Sequence, residues 1–250
     1  MSGLAGKSVL VTGAARGIGA AIAEAVVDAG GSIALLDIDP AGADTAARLS
    51  GHFFQCDVRS LEEVERAVAA SQDALGGLDG LVNNAGVNAY FDAVAMTEAD
   101  WDSVFAVDLK AAWMLVKAAL PELIERRGAI VNISSIQARL TLHGFFPYAA
   151  AKAGLEGLTR SLALDYASAG VRVNAVAPGY TQTHLVQEWL GLQDDPEATL
   201  ASVLQNIPLG RMAEPREIGN VVAFLLSDDA SAITGATIAV DCGTGARFAT

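Results

Sequence analysis

Short runs of β-branched and aliphatic residues alternate with longer helical stretches along almost the whole chain, and this alternation constrains the fold more than any other feature. Residues 8–11 read as a strand ending at Thr12-Gly13, and 17–29 as a helix stopped by Gly30-Gly31. A second strand over 33–36 ends at Asp37, a helix covers 41–50, and a third strand covers 52–56. Leu61, Val64 and Val68 recur at helical spacing and predict a helix over 60–75. A fourth strand (78–83), one long helix (99–126) and a fifth strand (129–134) follow. Then come a helix over 148–167, a sixth strand over 171–177, a helix over 215–227 and a last strand over 237–240. The stretch 184–205 reads as polar and helical, without an evident place. The strands are continuous apolar runs, which a parallel sheet needs when helices cover both of its faces. The expectation is an α/β fold with a doubly wound parallel sheet, one domain over 1–250, and 184–212 as a substrate loop or lid.

Composition narrows the function classes. Hydrophobic residues make up 52% and charged residues 18%, enough apolar material for one large core. With 16 basic and 29 acidic residues the formal net charge is −13, which argues against a nucleic-acid partner. The two cysteines, Cys56 and Cys242, form no CxxC pair, so neither a disulfide framework nor a zinc site is expected. No metal ligand cluster stands out. The first residues do not form a signal peptide, and no uncharged run reaches the roughly 20 apolar residues that span a bilayer. The expectation is a cytoplasmic protein without a membrane partner.

The chemistry begins at Thr12-Gly13-Ala14-Ala15-Arg16-Gly17-Ile18-Gly19, between the first strand and the first helix. Glycine permits the tight turn and lets backbone N–H groups approach a pyrophosphate, while the helix N-terminus adds its partial positive charge. A glycine motif alone is weak, but this one follows a strand and opens a helix, as the mechanism requires. Asp37 ends the second strand, about 20 residues on, where an acidic residue binds the ribose hydroxyls of NAD and repels the 2′-phosphate of NADP. Arg16 argues mildly the other way. NAD is the expected cofactor.

Further pieces stand in a fixed order: Asn83-Asn84-Ala85-Gly86, Ser135, Tyr148-Ala149-Ala150-Ala151-Lys152 and Pro178-Gly179. Together with the glycine loop they resemble the short-chain dehydrogenase/reductase family over nearly the whole chain. The resemblance implies a Rossmann fold and NAD(P)-dependent hydride transfer at a CH–OH group. It implies Ser135, Tyr148 and Lys152 as catalytic residues, with Lys152 also holding the nicotinamide ribose. The residues make chemical sense of these roles. Tyr148 and Lys152 are four apart on a predicted helix and share a face. A phenol is a poor base at neutral pH, and a nearby ammonium is expected to lower its pKa. Val107-Asp108-Leu109 departs from the family, where Asn stands in place of Asp108. The family uses that residue's main-chain carbonyl in its active-site relay, so Asp108 can keep the contact while its carboxylate perturbs its neighbours. The resemblance further implies cofactor contacts at Gly13, Arg16, Gly17, Ile18, Gly19, Asp37 and Ile38. It places others at Asp57 and Val58 beside the adenine, at Asn83, Ala85 and Gly86, and at Pro178, Gly179, Thr181 and Thr183 over the nicotinamide.

The expected pocket wall contains Asn88, Gln137, Tyr180 and His143 as substrate-binding candidates, with Arg139, Phe146, Gln182 and His184 near them. This set is polar with a few aromatics, which suits a sugar, polyol or similar hydroxylated molecule. Trp189 and Leu190 are candidates for an apolar lid, for core or for an interface. Two alternatives stay open: a 3-oxoacyl thioester or other ketone reductase using NADPH, and a non-catalytic NAD sensor. The family resemblance also implies a homotetramer or homodimer, joined through the helices at 99–126 and 148–167.

Overall fold

The computed structural model describes residues 3–246. The strands are β1 (Ser8–Thr12), β2 (Ser32–Asp37), β3 (His52–Gln55), β4 (Gly80–Asn83), β5 (Ala129–Ile133), β6 (Arg172–Pro178) and β7 (Thr237–Val240). They form one sheet in the order β3-β2-β1-β4-β5-β6-β7, with every neighbouring pair parallel. The helices are α1 (Gly17–Asp28), α2 (Gly42–Arg48), α3 (Leu61–Leu75), α4 (Glu98–Phe105), α5 (Ala111–Glu125), α6 (Tyr148–Tyr166), α7 (His184–Gly191), α8 (Pro196–Gln205) and α9 (Pro215–Leu226). The strand order reverses between β1 and β4, so a crevice opens there beyond the carboxyl ends of the strands, where ligands of such sheets bind. Among the described residues, no helix is long and apolar enough to cross a membrane.

The unbroken apolar runs have a direct structural reason. Val9, Val11, Ile33, Leu35, Val82 and Val131 point to one face, against Ile22 and Val26 of α1 and Ile218, Val222 and Leu225 of α9. Leu10, Ala34, Leu36, Leu81 and Ile130 point to the other, against Val64 of α3, Met114 and Leu115 of α5 and Ala163 of α6. Both faces are dry, so alternate residues along a strand are apolar for different neighbours. Each fully buried Leu or Ile adds about 1.5–3 kcal/mol. Helix ends follow local chemistry. The Ser60 hydroxyl accepts from the Glu63 N–H to start α3, and Gly76, at φ 71°, ends it. Thr97 and Asp100 form a capping box at the start of α4.

Two sequence expectations need correction. The single long helix over 99–126 is broken: α4 ends at Phe105, a π-helical turn occupies Ala106–Lys110, and α5 begins at Ala111. Periodicity hides this, because the helix resumes with its apolar residues still inward. The stretch 184–205 is two helices, α7 and α8. They pack on a small cluster of their own, in which Val203, Ile207 and Met212 meet Tyr180 and Trp189.

Candidate active site

The end of β1 is clamped to the end of β4. The Thr12 hydroxyl donates to the Val82 carbonyl (3.3 Å) and accepts from the N–H groups of Asn84 and Ala85 (3.0 Å each). The Asn84 side-chain amide donates to the carbonyls of Thr12 and Gly13, both at 2.9 Å. Gly13 and Gly17 both have φ 62°, a conformation that favours glycine. A Cβ on Gly13 would stand 2.8 Å from the Ala85 Cα, and one on Gly19 would overlap the Gly13 carbonyl oxygen. No side chain caps the first turn of α1, whose N-cap is Arg16, and the nearest atom to a Cβ on Gly17 would be Thr183 Cγ2, at 3.8 Å. Uncapped N–H groups at a helix N-terminus, facing a gap, fit the pyrophosphate of a dinucleotide.

The adenosine side is equally ordered. Asp37 accepts from the Ala15 N–H (2.8 Å) on one oxygen and from the Asp39 N–H (2.9 Å) on the other. This holds a carboxylate beside the glycine loop. Arg16 pairs with Asp39 at 3.5 Å. Ile38 is 56% exposed, an apolar surface at the crevice edge. Val58 is buried, and Asp57 is held by the Arg59 guanidinium, with its nearest contact at 2.6 Å.

At the carboxyl end of β5 a buried polar ladder crosses the sheet. The Asn83 amide donates to Asn132 Oδ1 (2.8 Å), Asn132 donates to the Thr159 hydroxyl (2.8 Å), and that hydroxyl donates to the Leu155 carbonyl (2.8 Å). The ladder fixes α6 against β4 and β5, and so fixes Tyr148 and Lys152, which α6 carries. Lys152 is buried; its ammonium donates to the Ile133 carbonyl (3.3 Å) and lies 5.5 Å from the centre of the Tyr148 ring. Ser135 accepts from the Gln137 N–H (3.2 Å), and its hydroxyl lies near enough to the Tyr148 phenol to favour the phenolate. Asp108, in the π turn, is 1% exposed. Its Oδ1 accepts from the Val87 N–H (2.8 Å), and its Oδ2 has no partner among the described residues.

The electrostatics correct one expectation. Burial pushes the Tyr148 phenol above its ordinary value and outweighs the downward pull of Lys152; Asp108 pushes it up further, and the Ser135 hydroxyl pulls it down. The lysine acts in the expected direction, but desolvation wins. For Lys152, burial pushes down, while Asp108 and Tyr148 push up and prevail, so the ammonium stays charged. Burial raises Asp108, against the pull of Lys152 and the Val87 N–H.

The pocket wall is more aromatic than the sequence suggested. Tyr90 meets Phe145 edge-on at 5.0 Å between ring centres, Phe145 lies 6.2 Å from Trp189, and Trp189 lies 5.7 Å from Tyr180. The loops carrying these rings are tied by backbone bonds: the Phe91 N–H to the Phe146 carbonyl (3.0 Å), and the Ala213 N–H to the Tyr180 carbonyl (2.9 Å). Asn88 hydrogen-bonds Tyr90. Gln137 stays beside Ser135, and His143 lies on an exposed turn. Three neighbours are engaged or turned elsewhere. Arg139 binds the buried Glu156 on α6 (3.1 Å), His184 pairs with Glu188 (3.0 Å), and Gln182 is exposed. Thr183 faces Gly17, whereas Thr181 is buried and donates to the Gly179 carbonyl (3.2 Å). Sequence reasoning named Asn84 only as part of a motif, without its clamp on Thr12 and Gly13, and missed Asn132, Glu156, Tyr90 and Phe145. A polar residue inside an apolar strand was the available signal for Asn132.

Comparison with known proteins agrees with this geometry. A family model described as enoyl-(acyl carrier protein) reductase matches residues 13–245. The oxidoreductase UcpA of Salmonella typhimurium is 40% identical over 252 aligned positions, which cover 97% of this chain and 96% of the relative. The 2-(S)-hydroxypropyl-CoM dehydrogenase 3 of Xanthobacter autotrophicus is 39% identical, covering 96% and 97%. The ligand-free aldohexose dehydrogenase of Thermoplasma acidophilum superposes with a TM-score of 0.93 at 35% identity, covering 99% of this chain and 97% of that one.

Proposed function

The chain belongs to the short-chain dehydrogenase/reductase family and is an NAD(P)-dependent oxidoreductase acting on CH–OH groups, and from that premise we propose an NAD-linked dehydrogenase of a sugar, polyol or similar hydroxylated molecule. The observation that carries the reading is the meeting of the buried Ser135 and Lys152 with the half-buried Tyr148 beyond the end of β5. Tyr148 exchanges a proton with the substrate oxygen, and the Ser135 hydroxyl aligns that oxygen. Lys152, held charged by Asp108 and anchored on the Ile133 carbonyl, favours the phenolate when Tyr148 gives up its proton. When bound, the nicotinamide supplies the carbon that accepts or gives the hydride. The raised phenol suits proton donation during ketone reduction; alcohol oxidation requires its loss and so quickens as pH rises.

The preference for NAD rests on Asp37, whose carboxylate sits where a 2′-phosphate would meet a like charge, and on Arg16 being paired with Asp39. Residues 184–212 serve as the substrate lid. The aldohexose dehydrogenase likeness supports the sugar reading. Its main competitor, a 3-oxoacyl-thioester or other ketone reductase using NADPH, draws support from the 3-oxoacyl-[acyl-carrier-protein] reductase of Vibrio harveyi, 37% identical over 96% of this chain. Exposed Trp113 on α5 and Leu164 on α6 support a homodimer or homotetramer through those helices, and the two free thiols suit the cytoplasm. The test follows NADH absorbance with NAD or NADP over a panel of sugars, polyols and secondary alcohols, with Tyr148→Phe as control. NAD-dependent turnover that the control loses is the expected result. Turnover confined to NADPH and an acyl thioester would establish the competitor instead.

A further inference from the structure

Four rings come from separate segments, Tyr90 after β4, Phe145 just before α6, Tyr180 after β6 and Trp189 on α7, and the last two line a cavity. They nevertheless form one connected chain of contacts, Tyr90–Phe145–Trp189–Tyr180, with centre-to-centre distances of 5.0, 6.2 and 5.7 Å. The chain begins at the reacting phenol. Burial, followed by the nearby Tyr148, pushes the Tyr90 hydroxyl up to about 12. Phe145 is buried, and Trp189 bears on the small cluster beneath the lid, so that ring has a fixed backing. Beyond Tyr180 and Trp189 opens a cavity of 680 Å³ bordered by Asp194 and Asp195; no Lys or Arg is among the described residues lining it.

We propose that Tyr90, Phe145, Tyr180 and Trp189 form an aromatic cage that selects an uncharged, ring-shaped substrate, a pyranose or a cyclic ketone or alcohol, over its open-chain counterpart. The physical basis is shape. A saturated ring presents a flat array of C–H bonds that can lie against aromatic faces without losing internal freedom, whereas an open chain must freeze several torsions to make the same contact. The acidic border disfavours carboxylates, phosphates and other anions. The phenols of Tyr90 and Tyr180 can pair with ring hydroxyls at the edge of the stack. This reading rests on the dehydrogenase function above and names the substrate class of the same site.

The test uses the full chain and two matched pairs: cyclohexanol against a straight-chain secondary hexanol, and an aldohexose against its hexitol. Two quantities are read, the kcat/KM ratio of ring to chain and the quenching of tryptophan fluorescence by each compound without turnover. The cage predicts a ratio of about tenfold or more in both pairs, falling at least about fivefold in Trp189→Leu and in Tyr90→Leu. It also predicts quenching by the ring compounds that disappears in Trp189→Phe. Equal use of ring and chain, or a ratio unchanged in both leucine variants, would overturn the cage and leave the dehydrogenase reading standing. Ring-selective quenching without turnover of any compound would support the cage while counting against the dehydrogenase reading. No quenching and no ring preference would overturn the cage whatever the activity.

Discussion

The crevice has two unlike banks. The dinucleotide bank is made of main chain: Gly13, Gly17 and Gly19 between β1 and α1, clamped by Thr12 and Asn84 through bonds of 2.9–3.3 Å. The substrate bank is made of side chains, with rings from four segments in edge-on and tilted contact and only isolated backbone bridges between the loops. A ligand common to many enzymes can be held by geometry that every residue possesses. A ligand particular to one enzyme must be chosen by side chains, which change without disturbing the sheet.

Mutations can break or sharpen this contrast. The largest effect is expected at the junction of the banks: Tyr148→Phe should lower kcat by about 10²–10⁴ while NAD affinity, read by fluorescence titration, holds. A matching loss of NAD binding would mean that the banks are not separable there. On the main-chain bank, Gly19→Ala forces a Cβ into the Gly13 carbonyl oxygen; it should cost about 1–3 kcal/mol in denaturant unfolding and weaken NAD binding at the same time. Were Gly19→Ala to bind NAD normally, the loop would be more compliant than its geometry implies. Asn132→Leu removes the middle of the buried ladder and strands the Asn83 amide; an unfolding loss of about 1–3 kcal/mol is expected. Trp189→Leu should cost less stability than either, and the contrast fails if it costs more. The subtlest effect concerns pH. Asp108 pushes the Tyr148 phenol upward, so Asp108→Asn should lower that pKa and move the rise of oxidative kcat to lower pH. A rise displaced to higher pH would contradict that assignment.

The same contrast explains what the sequence revealed. The sheet was legible because both faces are covered, so strands such as 8–12 and 129–133 print as unbroken apolar runs. The dinucleotide bank was legible because Gly13, Gly17 and Gly19 fall in one short segment between strand and helix and Asp37 lies at the end of the next strand. Tyr148 and Lys152 were legible because one helix turn brings them together. The cage was not, since Tyr90 and Trp189 are neighbours only after the chain has crossed the sheet several times. Arg139 looked like a pocket cation, and only the folded chain reveals the buried Glu156 that claims it. The net rise of the Tyr148 phenol was hidden too, because burial is a property of the assembled site and not of the Tyr-Lys spacing.

The π turn at Ala106–Lys110 has a consequence for how this chain tolerates length changes. Its i→i+5 bonding accommodates a residue more per turn than the α-helices on either side, so it absorbs that residue while the two helices keep their faces. Losing one residue from this stretch would close the wide turn and let the α pattern run through from Thr97 to Glu125, with α5 close to its present phase. Met114, Leu115 and Leu123 would stay on the sheet, while Asp108, inside the turn, would lose its place at the Val87 N–H. A single-codon deletion here should therefore spare the packing of α5, whereas the same deletion in the middle of α5 would turn every residue after it by about 100° away from the sheet.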